Sequence, residues 1–273
     1  MLKAILRLYA TLPLPVIHCS GWAVGWIMYL SDKKFARRLK KNLGLVRIAS
    51  GAAERRHLVH RCALEIGKSV METFAIWFKP QQAALKWVRE CCGWEHVESA
   101  LAQKRGIIFL TPHLGCYEIT ALYYAAHHPI NVLYRPPRKK WLIPLVEAGR
   151  SRDQLKLAPT NMRGVRSLLK ALKNGEAIGI LPDQVPEPGE GEWAEFFGQP
   201  AYTMTLASKL AASTGAAVLM AFGERLPWGR GYIIHIEPLP QPSTPQHIND
   251  SIEKFVRRQP AQYLWSYRRF KKP

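Results

Sequence analysis

Apolar residues recur at helical spacing over residues 57–78, where Leu58, Cys62, Ile66, Val70, Phe74 and Trp77 fall three or four positions apart. That period predicts a helix packed on a core, and Pro80 ends it because proline cannot continue the backbone ladder. From residue 106 the pattern changes. Short β-rich runs at 107–110, 130–134, 177–181, 217–222 and 232–236 alternate with helical patterns such as 165–173 and 203–214. This alternation predicts an α/β fold with a mixed, mostly parallel sheet flanked by helices, and it puts functional residues at strand ends.

The first 31 residues follow neither pattern. They are apolar and aromatic, with Lys3 and Arg7 the only charges before Asp32. At about 1.5 Å per residue the uncharged stretch 8–31 could cross a bilayer. Pro13 and Pro15 interrupt it, and the remaining 16–30 is short for a span. A marginal or kinked transmembrane helix, an interfacial helix and a buried core helix all remain open. Trp22, Trp26 and Tyr29 suit a headgroup layer, and Lys33, Lys34, Arg37, Arg38, Lys40 and Lys41 follow at once. No Ala-x-Ala cleavage site follows the apolar region, so a secretory signal is not favoured. The expectation is a membrane-anchoring segment over 1–31 and one folded domain over 32–273.

Charge narrows the partners. The 273 residues hold 39 lysines and arginines against 20 acids, a net charge of +19. Such a surface attracts nucleic acid, an anionic membrane with phosphorylated lipids, or an acidic carrier protein. Helix-turn-helix, zinc-finger and RNP signatures are absent, which argues against nucleic acid. The five cysteines form no regular disulfide framework, so a reducing compartment fits. Cys91, Cys92 and His96 have no second cysteine pair at zinc-site spacing, and neither a metal nor another cofactor is expected.

Candidate chemistry starts at Thr111-Pro-His-Leu-Gly-Cys-Tyr-Glu118, directly after the 107–110 run. Gly115 permits a tight turn into the next helix. If His113 lies on that turn and Glu118 in the helix, the carboxylate can orient the imidazole, leaving its other nitrogen to take a proton from a hydroxyl. The alternative is a capping histidine and a glutamate paired with a lysine. Arg135, Arg138, Lys139 and Lys140 follow the next strand, where an arginine fork can grip phosphate, and Asp183 stands at a further strand end. Residues 184–204 read as a Pro- and Gly-rich loop in which Phe196, Phe197 and Tyr202 either line an acyl groove or pack as core. A hydrolase would want an activated serine or cysteine, yet no Gly-x-Ser-x-Gly occurs, and Cys116 reads as packing.

Five blocks in order carry a resemblance. They are His113-x-x-x-x-Glu118, Tyr134-Arg135, Pro182-Asp183, Phe196-Phe197-Gly198-x-x-Ala201-x-Thr203, and the ending from Tyr263-Leu264-Trp265 to Arg268-Arg269-Phe270-Lys271. From about Arg37 to Lys272 the chain resembles the late acyltransferases of lipid A biosynthesis, related to the wider glycerolipid acyltransferases. The resemblance implies an enzyme at the cytoplasmic face of a Gram-negative inner membrane. Such an enzyme moves a fatty acyl chain from acyl carrier protein to a hydroxyl of the phosphorylated, Kdo-bearing lipid A precursor. It also implies His113 as base and Glu118 as its partner, with Arg135, Arg138, Arg150 and Asp183 as substrate-side polar positions. A lysophospholipid or amino-acid-derived lipid is the alternative acceptor. The chain is shorter than many relatives and lacks a Cys-Phe-Pro-Glu-like segment after Asn42-Leu43, which leaves acyl length and acceptor hydroxyl open.

Overall fold

The computed structural model describes residues 2–137, 140–152 and 154–273. Four helices open the chain: α1 (Leu2–Ala10), α2 (Leu14–Ser31), α3 (Lys33–Leu45) and α4 (Ala52–Phe78). After the short α5 (Gln81–Leu85) strands and helices alternate. They run β1 (Val88–Cys92), α6 (Trp94–Ala102), β2 (Ile107–Leu110), α7 (Tyr117–Ala125), β3 (Ile130–Tyr134), α8 (Ile143–Arg150), β4 (Leu155–Pro159) and α9 (Met162–Lys173). The remainder is β5 (Ala177–Ile180), the hairpin β6 (Gly191–Phe196) and β7 (Gln199–Met204), α10 (Leu206–Thr214), β8 (Ala217–Arg225), β9 (Tyr232–Pro238) and α11 (Pro245–Arg258).

The main sheet has the order β1-β9-β8-β2-β5-β3-β4, parallel throughout except where β8 meets β9. The mixed, mostly parallel α/β sheet expected from the alternation is present. Every residue of β2 and β5 is buried, as strands covered on both faces require. One face packs α4, α9, α10 and α11, the other α6 and α7. Asp32 caps α3 by accepting from Lys34 N (2.8 Å) and Phe35 N (3.1 Å), and Asn161 caps α9 through Gly164 N (3.0 Å).

Two features depart from the sequence reading. Residues 191–204 form an antiparallel hairpin, turning at Phe197 and Gly198 with φ +52° and +67°, the paired positive angles of a tight hairpin turn. Phe196, Phe197 and Tyr202 are buried in this hairpin's packing, so they belong to the core rather than to an open groove. β1 and β4 lie at the two edges of the sheet, and their sequences, Val-Arg-Glu-Cys-Cys and Leu-Lys-Leu-Ala-Pro, carry charges where edge strands meet solvent.

Among the described residues no helix is long and apolar enough to cross a membrane. Instead α2 lies along α4 at backbone contact. A Cβ on Gly67 would stand 2.2 Å from Gly21 O, and one on Gly25 2.4 Å from Ala63 O. Leu14 and Ile17 are buried, while Leu8, Ile27 and Leu30 stay 72, 63 and 74% exposed. A buried ion network ties the same helices to the sheet. Arg225 Nε donates to Glu72 Oε2 (2.9 Å) and Nη1 to Glu65 Oε2 (2.6 Å), and Tyr232 donates its hydroxyl to Glu72 Oε2 (2.9 Å). The His18 ring stands 3.1 Å from the same carboxylate oxygen.

Candidate active site

β2 delivers His113 to the turn before α7, at the C-terminal end of the parallel sheet. Gly115 makes that turn with φ +58°, and a Cβ there would meet Gly223 O at 2.1 Å, so both conformation and space demand glycine. Glu118 sits in the first turn of α7, and among the described residues no side chain caps that helix.

The imidazole's partner is Asp183. Its Nδ1 lies 2.8 Å from Asp183 Oδ1, while the His113 backbone N–H donates to Asp183 Oδ2 at 2.9 Å. A carboxylate at Nδ1 assigns the proton to that nitrogen and leaves Nε2 with its lone pair. Asp183 is 3% exposed. Burial pushes its carboxyl up, but the His113 ring charge, its two hydrogen bonds and the charge of Arg269 outweigh that and hold it below the usual carboxylate range. Tyr117 stacks at a tilt beside His113, with ring centroids 5.1 Å apart.

Glu118 has a different partner from the one expected. Arg150 Nε donates to Glu118 Oε1 (3.0 Å) and Oε2 (3.2 Å), and Arg150 Nη2 donates to Oε1 as well. The pair is a forked arginine–carboxylate contact, bridging α7 and α8. Burial lowers the Arg150 pKa, yet the Glu118 charge more than reverses this and raises it. Thus Glu118 aims an arginine, and the orienting carboxylate for His113 comes from the end of β5. A local spacing of five residues suggested His113 with Glu118; the sheet brings Asp183, seventy residues away, closer instead.

The remaining candidates separate. Arg135 is exposed after β3 and pairs with Glu187 at 2.8 Å. Arg138 lies outside the described residues. Cys116 is buried, and burial first, then the Glu72 charge, pushes its thiol well above the ordinary range, which suits packing and not a nucleophile.

Several site residues carried no signal in the sequence. Gln184 places its amide nitrogen 3.5 Å from His113 Nε2, in front of the free lone pair. The chain after α11 then braces the whole turn. Leu264 N donates to His113 O (3.0 Å), Gly115 N to Gln262 O (3.0 Å), and Val185 N to Tyr267 Oη (3.0 Å). Asn42 of α3 fixes that brace by donating to Trp265 O (2.6 Å) and Tyr267 O (2.7 Å). The Tyr-Leu-Trp ending was visible as a motif; its role as a strap over His113 and Asp183 was not.

His113 opens on a cleft of about 750 Å³ whose walls include Arg135, Arg150, Lys209, Leu133, Val165 and Met204. A base with one free nitrogen, an aimed arginine and a half-apolar wall suit proton removal from a hydroxyl on a molecule with both anionic and hydrocarbon parts.

Comparison with known proteins gives the family. The profile of the bacterial lipid A biosynthesis acyltransferases matches residues 1–272. A lipid A biosynthesis lauroyltransferase of Escherichia coli K12 is 30% identical over 98% of this chain and 89% of its own length. A palmitoleoyltransferase of the same strain is 28% identical over the same shares, and a lipid A biosynthesis acyltransferase of Haemophilus influenzae is 26% identical over 98 and 88%. The chain belongs to the bacterial lipid A biosynthesis acyltransferases.

Proposed function

We propose that this acyltransferase moves a fatty acyl chain from the thioester of acyl carrier protein to a hydroxyl of the phosphorylated, Kdo-bearing lipid A precursor. The observation that carries the reading is the His113 Nδ1–Asp183 contact at 2.8 Å, which leaves Nε2 as a base on a cleft with basic residues in its walls. His113 Nε2 takes the hydroxyl proton as the oxygen attacks the thioester carbonyl carbon. The tetrahedral oxyanion collapses, the C–S bond breaks, and the imidazolium returns its proton to the leaving thiolate. Asp183 stabilises the imidazolium between those steps. Glu118 serves catalysis by holding Arg150 toward the reacting groups, and the uncapped first turn of α7 offers N–H donors to the oxyanion. Arg135, Arg138 and Arg150 are the substrate-side cations.

The same reading places the enzyme on the cytoplasmic face of the inner membrane. The exposed Leu8, Ile27 and Leu30 of α1 and α2, together with exposed Lys33, Lys34, Arg37 and Arg38 of α3, support three helices lying at the bilayer surface.

The test is acyl transfer with purified variants. His113→Ala loses turnover by orders of magnitude, and Asp183→Asn keeps KM while kcat falls about 10²-fold or more, since the imidazole then loses its orienting charge. Retained turnover in His113→Ala would sink the mechanism.

A further inference from the structure

His113 lines two clefts of different character. The large one includes Arg135, Arg150, Lys209, Glu187 and Glu190 among its walls. The second, about 220 Å³, lies between α4 and the His113 turn. Its α4 wall is one helical stripe, Ile66, Val70 and Phe74, with Ser69 and Thr73 beside it. Tyr117 and Leu264 extend the apolar lining and Gln262 adds one amide, and among the described residues no lysine, arginine, aspartate or glutamate contributes to it.

We propose that this α4 cleft holds the hydrocarbon chain of the acyl donor, with the large cleft taking the phosphorylated acceptor. The assignment rests on the acyl-transfer reading above. A phosphate entering the α4 cleft would lose its water and meet no lysine or arginine among the described residues of the lining. A hydrocarbon chain loses only unfavourable water contact there. In the large cleft the balance reverses, because Arg135, Arg150 and Lys209 line it. Since His113 belongs to both, the acceptor hydroxyl reaches Nε2 from one cleft and the thioester carbonyl from the other. Neither substrate has to pass through the other's path.

The mostly apolar seam between α7 and the sheet, with Glu118 and Arg150 among its walls, does not compete for the chain. Its free volume is about 40 Å³ against about 220 Å³ for the α4 cleft, and His113 is not among its walls.

The test uses the full-length enzyme with a series of acyl carrier protein thioesters of increasing chain length. Val70 is 38% exposed, so Val70→Trp adds side-chain bulk that narrows the cleft without displacing core. The ratio of kcat/KM for the longest donor to that for the shortest should fall about tenfold or more in Val70→Trp, with acceptor KM unchanged. Phe74→Ala enlarges the cleft and should move the same ratio upward. An unmoved chain-length profile in both variants overturns the assignment, as does a rise in acceptor KM for Val70→Trp with no change in profile. Wild-type enzyme that transfers from no thioester overturns the underlying reading as well. Wild-type transfer with an insensitive profile overturns the cleft assignment alone.

Discussion

At His113 the two ring nitrogens have unlike surroundings, and the difference is what makes the residue useful. Nδ1 meets a buried carboxylate, while Nε2 meets the Gln184 amide and the cleft. Because the folded Asp183 pKa lies below its ordinary 3.8, its stabilising charge is present above that pH and is lost as pH falls through the lower folded value. The pair therefore stays intact across neutral conditions. Cys116, two residues beyond the turn's Leu114, is buried and its thiol is shifted upward, so thiolate chemistry is closed to it. Cys116→Ser should retain transfer within about threefold of wild type in a kcat measurement; loss of turnover with an intact fold would point to a covalent cysteine route. The histidine, the glycine of its turn and the importance of Asp183's strand end were legible from sequence. Which carboxylate faces the ring was not, because Glu118 is near in sequence and Asp183 is near only through the pairing of β2 with β5.

Among the elements, the α2–α4 contact shows how an apolar helix is kept on the protein. Gly21, Gly25 and Gly67 let the two backbones approach to a separation at which no side chain fits. Gly67→Ala would set a methyl 2.2 Å from Gly21 O, and helix backbone cannot yield as a side-chain tip can. It should destabilise the fold by about 1–3 kcal/mol, seen as a lower thermal midpoint, even though alanine is the better helix former. The 57–78 helix and the five sequence-predicted strands stand where their periodicity puts them. The β6–β7 hairpin escaped because its turn uses Phe197 at positive φ, a residue that gives no turn signal. β1 and β4 escaped because edge strands carry charges and lose the continuous apolar run of the central strands.

For the whole molecule, the Arg225 network joins the N-terminal helices to the main sheet. Arg225 and Glu72 are both buried, and Gln262 of the strap also bonds Arg225, accepting from its N (2.9 Å) and donating to its O (2.8 Å). Burial pushes the Glu72 carboxyl up, but Arg225 and His18 lower it far beneath its usual 4.5. Its stabilisation is therefore full above about pH 4.5 and is lost only as pH falls well below it. Glu72→Gln leaves a buried guanidinium short of charge and should cost roughly 3–5 kcal/mol in denaturant unfolding at neutral pH. A change below about 1 kcal/mol would mean that Glu65 alone suffices for Arg225.

By itself the sequence determined the alternation of strands and helices, the turn at Gly115, the basic surface and the ordered blocks of an acyltransferase. These properties live in periodicity, in local backbone conformation and in net charge, all of which are carried by residues near one another in the chain. Tertiary structure alone decided that Asp183 orients His113, that Glu118 holds Arg150, that the C-terminal strap braces the turn, and that α2 lies against α4. Each of these joins groups distant in sequence through a sheet register or a helix packing, and distance along the chain carries no information about either.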